Sequence, residues 1–141
     1  MMWQNIRLRT LGVFSLFLMV CCAMAEPQKS STIPNGTWGG DHIRIDVTEG
    51  SATIEYDCAN GTIEGPLNIK SDGKFDLRGV HNKEHGGPVR SDETANSHPA
   101  RYQGWTDGKT MKLKVVLPDA NEEIGTFTLV HGRIGRVFKC K

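Results

Sequence analysis

Apolar and polar residues alternate with a period of two along most of this chain, and this pattern restricts the possible fold more than any other feature of the sequence. Ile43, Ile45 and Val47 alternate with polar residues, and the alternation resumes over residues 52–58 after a short turn. Such alternation is typical of strands with one buried and one solvent-exposed face. No stretch of about ten residues combines a helical period with capping residues. The sequence therefore predicts an all-β fold.

The alternating segments number about eight, and most are joined by short turns. They are residues 43–48, 52–58, 63–69, 75–79, 101–106, 111–117, 124–130 and 134–140. One longer polar segment, residues 81–99, is rich in glycine, proline and charge and is predicted to form a loop or flap. Consecutive hairpins in a short chain favour an up-and-down barrel over a Greek-key sandwich. We therefore predict an antiparallel up-and-down barrel of about eight strands.

The N-terminus has the features of a leader peptide. Arg7 and Arg9 precede an apolar stretch at residues 11–20, and Ala23-Met24-Ala25 provides the small residues that a signal peptidase requires. The apolar run reaches about 15 residues, fewer than the roughly 20 that a spanning helix needs. We expect a periplasmic or secreted chain with no transmembrane segment after cleavage. The predicted organisation is a signal peptide at residues 1–25, an N-terminal extension at 26–35 and one barrel domain at 36–141.

The four cysteines divide into two groups. Cys21 and Cys22 lie in the leader, where acylation of one of them, giving a lipoprotein, is the alternative to a freely secreted chain. Cleavage leaves Cys58 and Cys140, and an even number of cysteines in an exported chain predicts a disulfide between them. A pair of thiol ligands or a redox couple is less favoured because the two lack a CxxC spacing.

The charge balance excludes one class of partner. The full chain has 17 basic and 16 acidic residues, and Arg7 and Arg9 leave with the leader. The mature chain thus carries 15 basic and 16 acidic residues, a net charge of −1. A protein that finds nucleic acid by charge needs a basic excess, so we expect no nucleic-acid partner. An acidic disordered tail is excluded as well.

The start of the first strand, Gly36-Thr37-Trp38, resembles the Gly-x-Trp motif that opens the first strand of lipocalins and avidins, the calycin-like barrels. The resemblance implies that Trp38 closes one end of the barrel and packs against an arginine from near the chain's end, for which Arg133 and Arg136 are the candidates. A guanidinium stacked on an indole is a favourable cation–π contact. The next residues, Gly39-Gly40, indicate a β-bulge.

Calycin-like barrels usually act by binding small apolar ligands, vitamins or, in one bacterial inhibitor group, proteases. The resemblance therefore implies a binding protein but does not identify its ligand. A second segment, Glu84-His85-Gly86-Gly87-Pro88, resembles one found in small exported bacterial proteins and implies no function.

Five side chains are candidates for ligand contact. Extrapolating the period of two places His81 and His131 on inward faces. There they would either anchor a ligand or be core histidines whose hydrogen bonds are made by the backbone or by water. Tyr102 and Trp105 lie on opposite faces of one strand, so one of them is predicted to be exposed. Arg90 belongs to the mixed charges of the flap, which form either a contact surface or a solvated loop.

The flap histidines support a metal site as the alternative to a ligand site. The sequence gives no support for a catalytic site. His81, His85 and His98 flank the flexible segment and could bind zinc or copper after a fold-back. His81 and His85 also match the H-x-x-E-H peptidase pattern, but a strand would hold them roughly 13 Å apart. No nucleophile motif is present, so no enzyme is expected.

These observations favour one function and leave one alternative. We expect an exported, non-enzymatic binding or interaction protein of the bacterial cell envelope, with a small molecule in the barrel or an envelope protein at the flap. The alternative is a metal-binding periplasmic module, and no other cofactor is expected.

Overall fold

A computed structural model describes residues 31–88, 90–92 and 96–140. The predicted leader, Cys21 and Cys22 lie outside these residues. Within them every regular element is a strand, and no helix is long and apolar enough to cross a membrane. The strands are β1 (Ser31–Thr32), β2 (Gly36–Gly40), β3 (Ile43–Thr48), β4 (Ser51–Tyr56), β5 (Ala59–Glu64), β6 (Asn68–Ile69), β7 (Lys74–Lys83), β8 (Asn96–Thr106), β9 (Thr110–Leu117) and β10 (Glu122–His131).

Eight of these strands form a closed antiparallel barrel, which confirms the predicted fold class. Their order around the barrel is β10-β2-β3-β4-β5-β7-β8-β9, so each pairs with its neighbour in the chain apart from the closing contact between β10 and β2. The two short strands β1 and β6 pair separately. Alternate residues of every barrel strand face inward, and this is the physical origin of the period of two in the sequence.

Three strand boundaries differ from the sequence prediction. Residues 59–64 form one strand, and the chain after Pro66 pairs with β1 instead of continuing it. β7 continues to Lys83, and β8 begins at Asn96. The flap is therefore shorter than predicted, and both His81 and His98 lie in strands. Residues 134–140 form no strand, because their only ladder contact is an isolated parallel bridge between Asp41 and Arg136.

The tail of the chain, residues 132–140, is here named the C-terminal strap. It leaves β10 and crosses the outer face of β2 and β3. A Cβ atom on Gly39 would lie 2.3 Å from the carbonyl oxygen of Arg133, and one on Gly135 would lie 2.2 Å from that of Ile43. Only glycine permits backbones to approach so closely. The predicted bulge at Gly39-Gly40 is wrong, since β2 pairs with β3 in unbroken register.

The strap ends at the predicted disulfide, which the structure confirms. Cys58 and Cys140 are joined across a sequence separation of 82, with their Cα atoms 4.9 Å apart. Cys58 lies in the turn between β4 and β5 and has a positive φ of 56°. Its amide donates to the carbonyl oxygen of Phe138. The disulfide therefore fixes the strap to one end of the barrel.

The barrel has two unlike ends. The closed end contains the turns β3–β4 and β8–β9 and the entry of the chain at Ile33, which is buried with Leu67 across the opening. The flap end contains the turns β2–β3, β4–β5 and β9–β10 and the flap, now residues 84–95. Beneath Ile33 and Leu67 the described residues enclose a space of about 10 Å³, room for about one water molecule, and a groove of about 250 Å³ borders the same two residues on the outside. The enclosed space is lined by aliphatic and aromatic side chains, among them Ile33, Ile45, Ile63, Leu67, Phe75 and Leu113.

Trp38 lies fully buried toward the closed end, as the resemblance implies. Its indole N–H donates to the carbonyl oxygen of Pro34 at 3.0 Å. The ring that contacts it is His131, with centroids 4.8 Å apart, rather than a guanidinium. Arg133 and Arg136 are both exposed on the C-terminal strap. The strap turns away along the outside of β2, and this path removes both arginines from the barrel opening.

Candidate ligand-binding site

Three large polar side chains occupy the barrel interior toward the flap end. Tyr56 ends β4, His81 lies near the end of β7, and Tyr102 lies in the middle of β8; their exposed fractions are 3%, 3% and 0%. All three face inward because the pleat alternates along each strand. The period of two placed His81 on the buried face. It left open which aromatic residue of β8 is buried, and the structure shows that this residue is Tyr102 and that Trp105 is exposed.

Glycines provide the space for these rings. A Cβ atom on Gly61 would lie 2.3 Å from the hydroxyl oxygen of Tyr102, and one on Gly79 would lie 2.8 Å from its ring. Residues 61 and 81 are partners in the register of β5 and β7. Gly61 and Gly79 therefore leave space inside the barrel because they have no side chains. The ring of Tyr102 occupies that space.

The hydrogen bonds of the three side chains are incomplete. The hydroxyl of Tyr102 donates to the carbonyl oxygen of Val80 at 2.9 Å. Nδ1 of His81 is buried and has no hydrogen-bond partner among the residues described, and the buried hydroxyl of Tyr56 makes no well-formed hydrogen bond, although the Tyr102 hydroxyl lies beside it. The rings of Tyr56 and His81 lie together, with centroids 5.2 Å apart, and Phe127 lies on the other side of Tyr56 at 5.8 Å. Two buried polar atoms without well-formed hydrogen bonds thus occur in one aromatic cluster.

The surroundings keep both of these side chains neutral. Burial, followed by the nearby Tyr102 hydroxyl, raises the pKa of Tyr56 far above its usual range. Burial also lowers the pKa of His81, and the neighbouring His98 acts in the same direction, whereas Glu122 opposes it. A neutral imidazole has one N–H donor and one acceptor nitrogen, and a neutral phenol can donate or accept. The site therefore offers uncharged hydrogen-bonding groups of both kinds.

His98 lies directly opposite His81 in the register of β7 and β8 but has a different environment. Its Nδ1 is 2.8 Å from a carboxylate oxygen of Asp119, and its Nε2 is 2.7 Å from the side-chain oxygen of Asn96. The hydrogen bond from His98 holds the pKa of Asp119 below its usual range. Both ring nitrogens of His98 are thus engaged at the rim, while His81 beside it keeps an unpartnered nitrogen.

The remaining predicted contact residues lie elsewhere. His131 is exposed at the closed end, where its Nε2 donates to the carbonyl oxygen of Asn35, so it does not line the interior. Trp105 is 39% exposed on the outer face of β8. Its indole N–H donates to the carbonyl oxygen of Asp72, and the ring borders a shallow surface groove of about 360 Å³. Arg90 is exposed in the flap, with Nε 3.5 Å from a carboxylate oxygen of Asp92.

Two of the three flap histidines, His81 and His98, are neighbours across β7 and β8, but the third does not join them. His81 is buried in the barrel, His98 lies beside it on β8, and His85 is exposed with its Nδ1 near the carbonyl oxygen of Gly86. Over residues 31–88, 90–92 and 96–140, no three His, Cys, Asp or Glu side chains come together as a metal site. β7 continues past His81 to Lys83, so His85 lies beyond the end of the strand and away from His81.

Two members of the cluster were not identified from the sequence. Tyr56 follows Ile54 in the inward register of β4, so the alternation gives its direction, yet nothing in the pattern distinguishes it from an ordinary core residue. Phe127 approaches Tyr56 only because β10 lies across the interior from β4. Spatial proximity across the barrel has no signal in a single sequence.

The fold and the site together define a class: a small, disulfide-bonded, eight-stranded antiparallel barrel, consistent with the calycin-like architecture, with a polar aromatic cluster below one end. No family model matches the chain, and no curated protein or solved structure matches it.

Proposed function

We propose that this chain is an exported, non-enzymatic binding protein of the bacterial cell envelope, a calycin-like barrel that holds a small molecule at its flap end. The observation that carries this proposal is that two of the three buried side-chain polar atoms without a well-formed hydrogen bond, the hydroxyl of Tyr56 and Nδ1 of His81, belong to one cluster inside the barrel, whereas the third, Nε of Arg44, belongs to β3. Buried polar groups in native proteins nearly always have partners, and leaving one unpaired is costly. A bound molecule between Tyr56, His81 and the flap would provide both hydrogen bonds.

The two ends of the barrel support this location. The interior beneath Ile33 and Leu67 is filled, and its enclosed space of about 10 Å³ excludes a ligand, while a groove of about 250 Å³ lies outside it between the chain entry and the β3–β4 turn. Eight-stranded barrels either fill their interior or hold one small ligand, and the flap end has two buried ring side chains, Tyr56 and His81, whose hydrogen-bonding groups could orient one. The expected ligand is a small, uncharged or weakly charged molecule with an apolar, planar body and at least one hydrogen-bond donor and one acceptor.

A pair of tyrosine variants tests the proposal. Tyr56→Phe removes the hydroxyl without a well-formed hydrogen bond, whereas Tyr102→Phe removes the hydroxyl that donates to Val80. In the ligand-free protein we expect Tyr102→Phe to lower the free energy of unfolding by about 1 kcal/mol and Tyr56→Phe to leave it unchanged or raise it. Urea denaturation of the mature chain measures both values.

Native mass spectrometry of the mature protein purified from a bacterial periplasm, without denaturation, then searches for a co-purifying small molecule. We expect wild type and Tyr102→Phe to retain it, and Tyr56→Phe and His81→Leu to lose it. Equal destabilisation by the two tyrosine variants, together with no retained molecule in wild type, would refute the proposal. A metal ion retained through His81 and His98 would instead support the alternative metal-binding module.

A further inference from the structure

The C-terminal strap exposes large apolar side chains to an unusual degree. Ile134 is 82% exposed and Phe138 is 55% exposed, and Val130, just before the strap, is 39% exposed. Single exposed apolar residues are common on protein surfaces, but a series of them along one segment marks an interaction surface. These three residues recur every four positions along one side of the barrel.

Cations lie between these apolar residues. Arg133, Arg136 and Lys139 are exposed, and the segment 131–141 has four basic residues and no acidic residue. The remaining 130 residues contain 13 basic and 16 acidic residues, so the charge is segregated within a chain that is nearly neutral overall. Within the part of the chain that the structure describes, neither arginine forms an ion pair, and the Lys139 amine lies 3.9 Å from Glu84.

The barrel holds the strap in an ordered conformation. The amide of Arg136 donates to Gly40 O at 3.0 Å, and the carbonyl oxygen of Arg136 accepts from the amide of His42 at 2.7 Å. The amide of Phe138 donates at 2.7 Å to the carboxylate of Asp57, which also lies 2.5 Å from Nδ1 of His42. Burial opposes the charge on Asp57, but these hydrogen bonds lower its pKa overall. A surface ordered before binding loses little conformational entropy when it binds.

We propose that the C-terminal strap docks the protein on a bilayer surface that contains anionic phospholipid. Lys and Arg attract such a surface, and apolar side chains that project beyond the backbone enter the interfacial region. A stable protein–protein interface needs about 800 Å² and roughly 20–30 residues on each partner, whereas the strap is a single segment of nine residues, 132–140. This inference is independent of the ligand site, whose residues lie inside the barrel.

Vesicle co-sedimentation of the full mature chain tests the docking. We expect binding to vesicles of phosphatidylethanolamine with phosphatidylglycerol, weak binding to phosphatidylcholine vesicles, and loss of binding with added salt. Arg133→Glu combined with Arg136→Glu should reduce the affinity at least about tenfold, since each basic residue near the surface contributes about fivefold.

A matched control uses the opposite side of the barrel. Lys74→Glu combined with Arg78→Glu changes the net charge equally on β7, which lies four strands from β2, and should change the affinity less than about twofold. Ile134→Ser with Phe138→Ser should weaken binding, and Val80→Ser, a change at an exposed valine of β7, should not. Circular dichroism confirms that every variant is folded.

Two results would overturn the inference. If wild type binds both vesicle compositions equally, or if the β7 charge pair weakens binding as much as the strap pair, the strap does not dock the protein. If the protein ignores vesicles but binds polyglutamate-coated beads through the strap arginines, the surface recognises an acidic protein instead.

Discussion

The closed end of the barrel is filled with aliphatic and aromatic side chains, whereas the flap end also holds Tyr56 and His81, which have buried polar atoms without well-formed hydrogen bonds. The closed end is covered by Ile33 and Leu67 and by the pairing of β1 with β6. The flap end is secured instead from outside, by the disulfide and the hydrogen bonds of the C-terminal strap.

This difference shows how one small barrel can combine stability with a polar interior. Apolar burial stabilises a core in proportion to the area removed from water, and at the closed end Ile33 and Leu67 are buried across the opening. Polar groups such as Tyr56 and His81 weaken a core unless they have partners. The covalent bond beside them compensates for this weakness without filling the interior.

The largest expected effect comes from removing the disulfide at the flap end. Cys58→Ser combined with Cys140→Ser opens a loop with a sequence separation of 82, and the chain-entropy model gives a loss of about 4.5 kcal/mol in the free energy of unfolding. Urea denaturation of the variant against oxidised wild type measures this loss. Hydrogen exchange should accelerate first at the amides of His42 and Cys58, which donate to the strap. A loss below about 1 kcal/mol, or equal acceleration at the closed end, would contradict the comparison.

A smaller effect is expected from truncating apolar side chains at the two ends. Leu113 is 2% exposed beside the residual closed-end space, so Leu113→Ala should lower the free energy of unfolding by about 3 kcal/mol. Ile124→Ala at the flap end removes the same number of carbon atoms from a half-buried position beside the bulge in β10. We expect a loss of about 1 kcal/mol there. Chemical denaturation compares the two variants, and equal losses would mean that the ends are packed alike.

The smallest effect concerns the dependence of stability on pH. Burial lowers the pKa of His81 in the folded barrel, while in the unfolded chain the imidazole titrates near about 6.5. As the pH falls below that value, the unfolded chain takes up a proton that the folded barrel resists. The free energy of unfolding should therefore decrease as the pH falls from about 6.5 toward the folded-state pKa.

His81→Leu should flatten this part of the stability profile, measured as the urea midpoint at a series of pH values. The control is His131→Gln, which changes an exposed histidine at the closed end. If His131→Gln flattens the profile and His81→Leu does not, the acid sensitivity does not originate in the flap-end cluster.

Part of the site could be predicted because the pleat is a local property. The inward direction of His81 follows from alternation along β7, and the structure agrees with it. Alternation along β8 placed Tyr102 and Trp105 on opposite faces without choosing between them, and the structure places Tyr102 inside. The same extrapolation failed for His131, because β10 ends there and the side chain lies at the rim, against Trp38. Alternation also predicted a strand at residues 134–140. That segment crosses the sheet from outside, since Gly39 and Gly135 let two backbones meet face to face.

The sequence by itself determined the all-β class, the antiparallel barrel and the disulfide, because each follows from local alternation, turn residues or the number of cysteines. Only the tertiary structure decided which ring packs on Trp38, where the strap lies, and that the hydroxyl of Tyr56 and Nδ1 of His81 belong to one cluster without well-formed hydrogen bonds. These features depend on contacts between strands that are distant in the chain. Closure of the barrel brings such strands together, and no local pattern encodes that proximity.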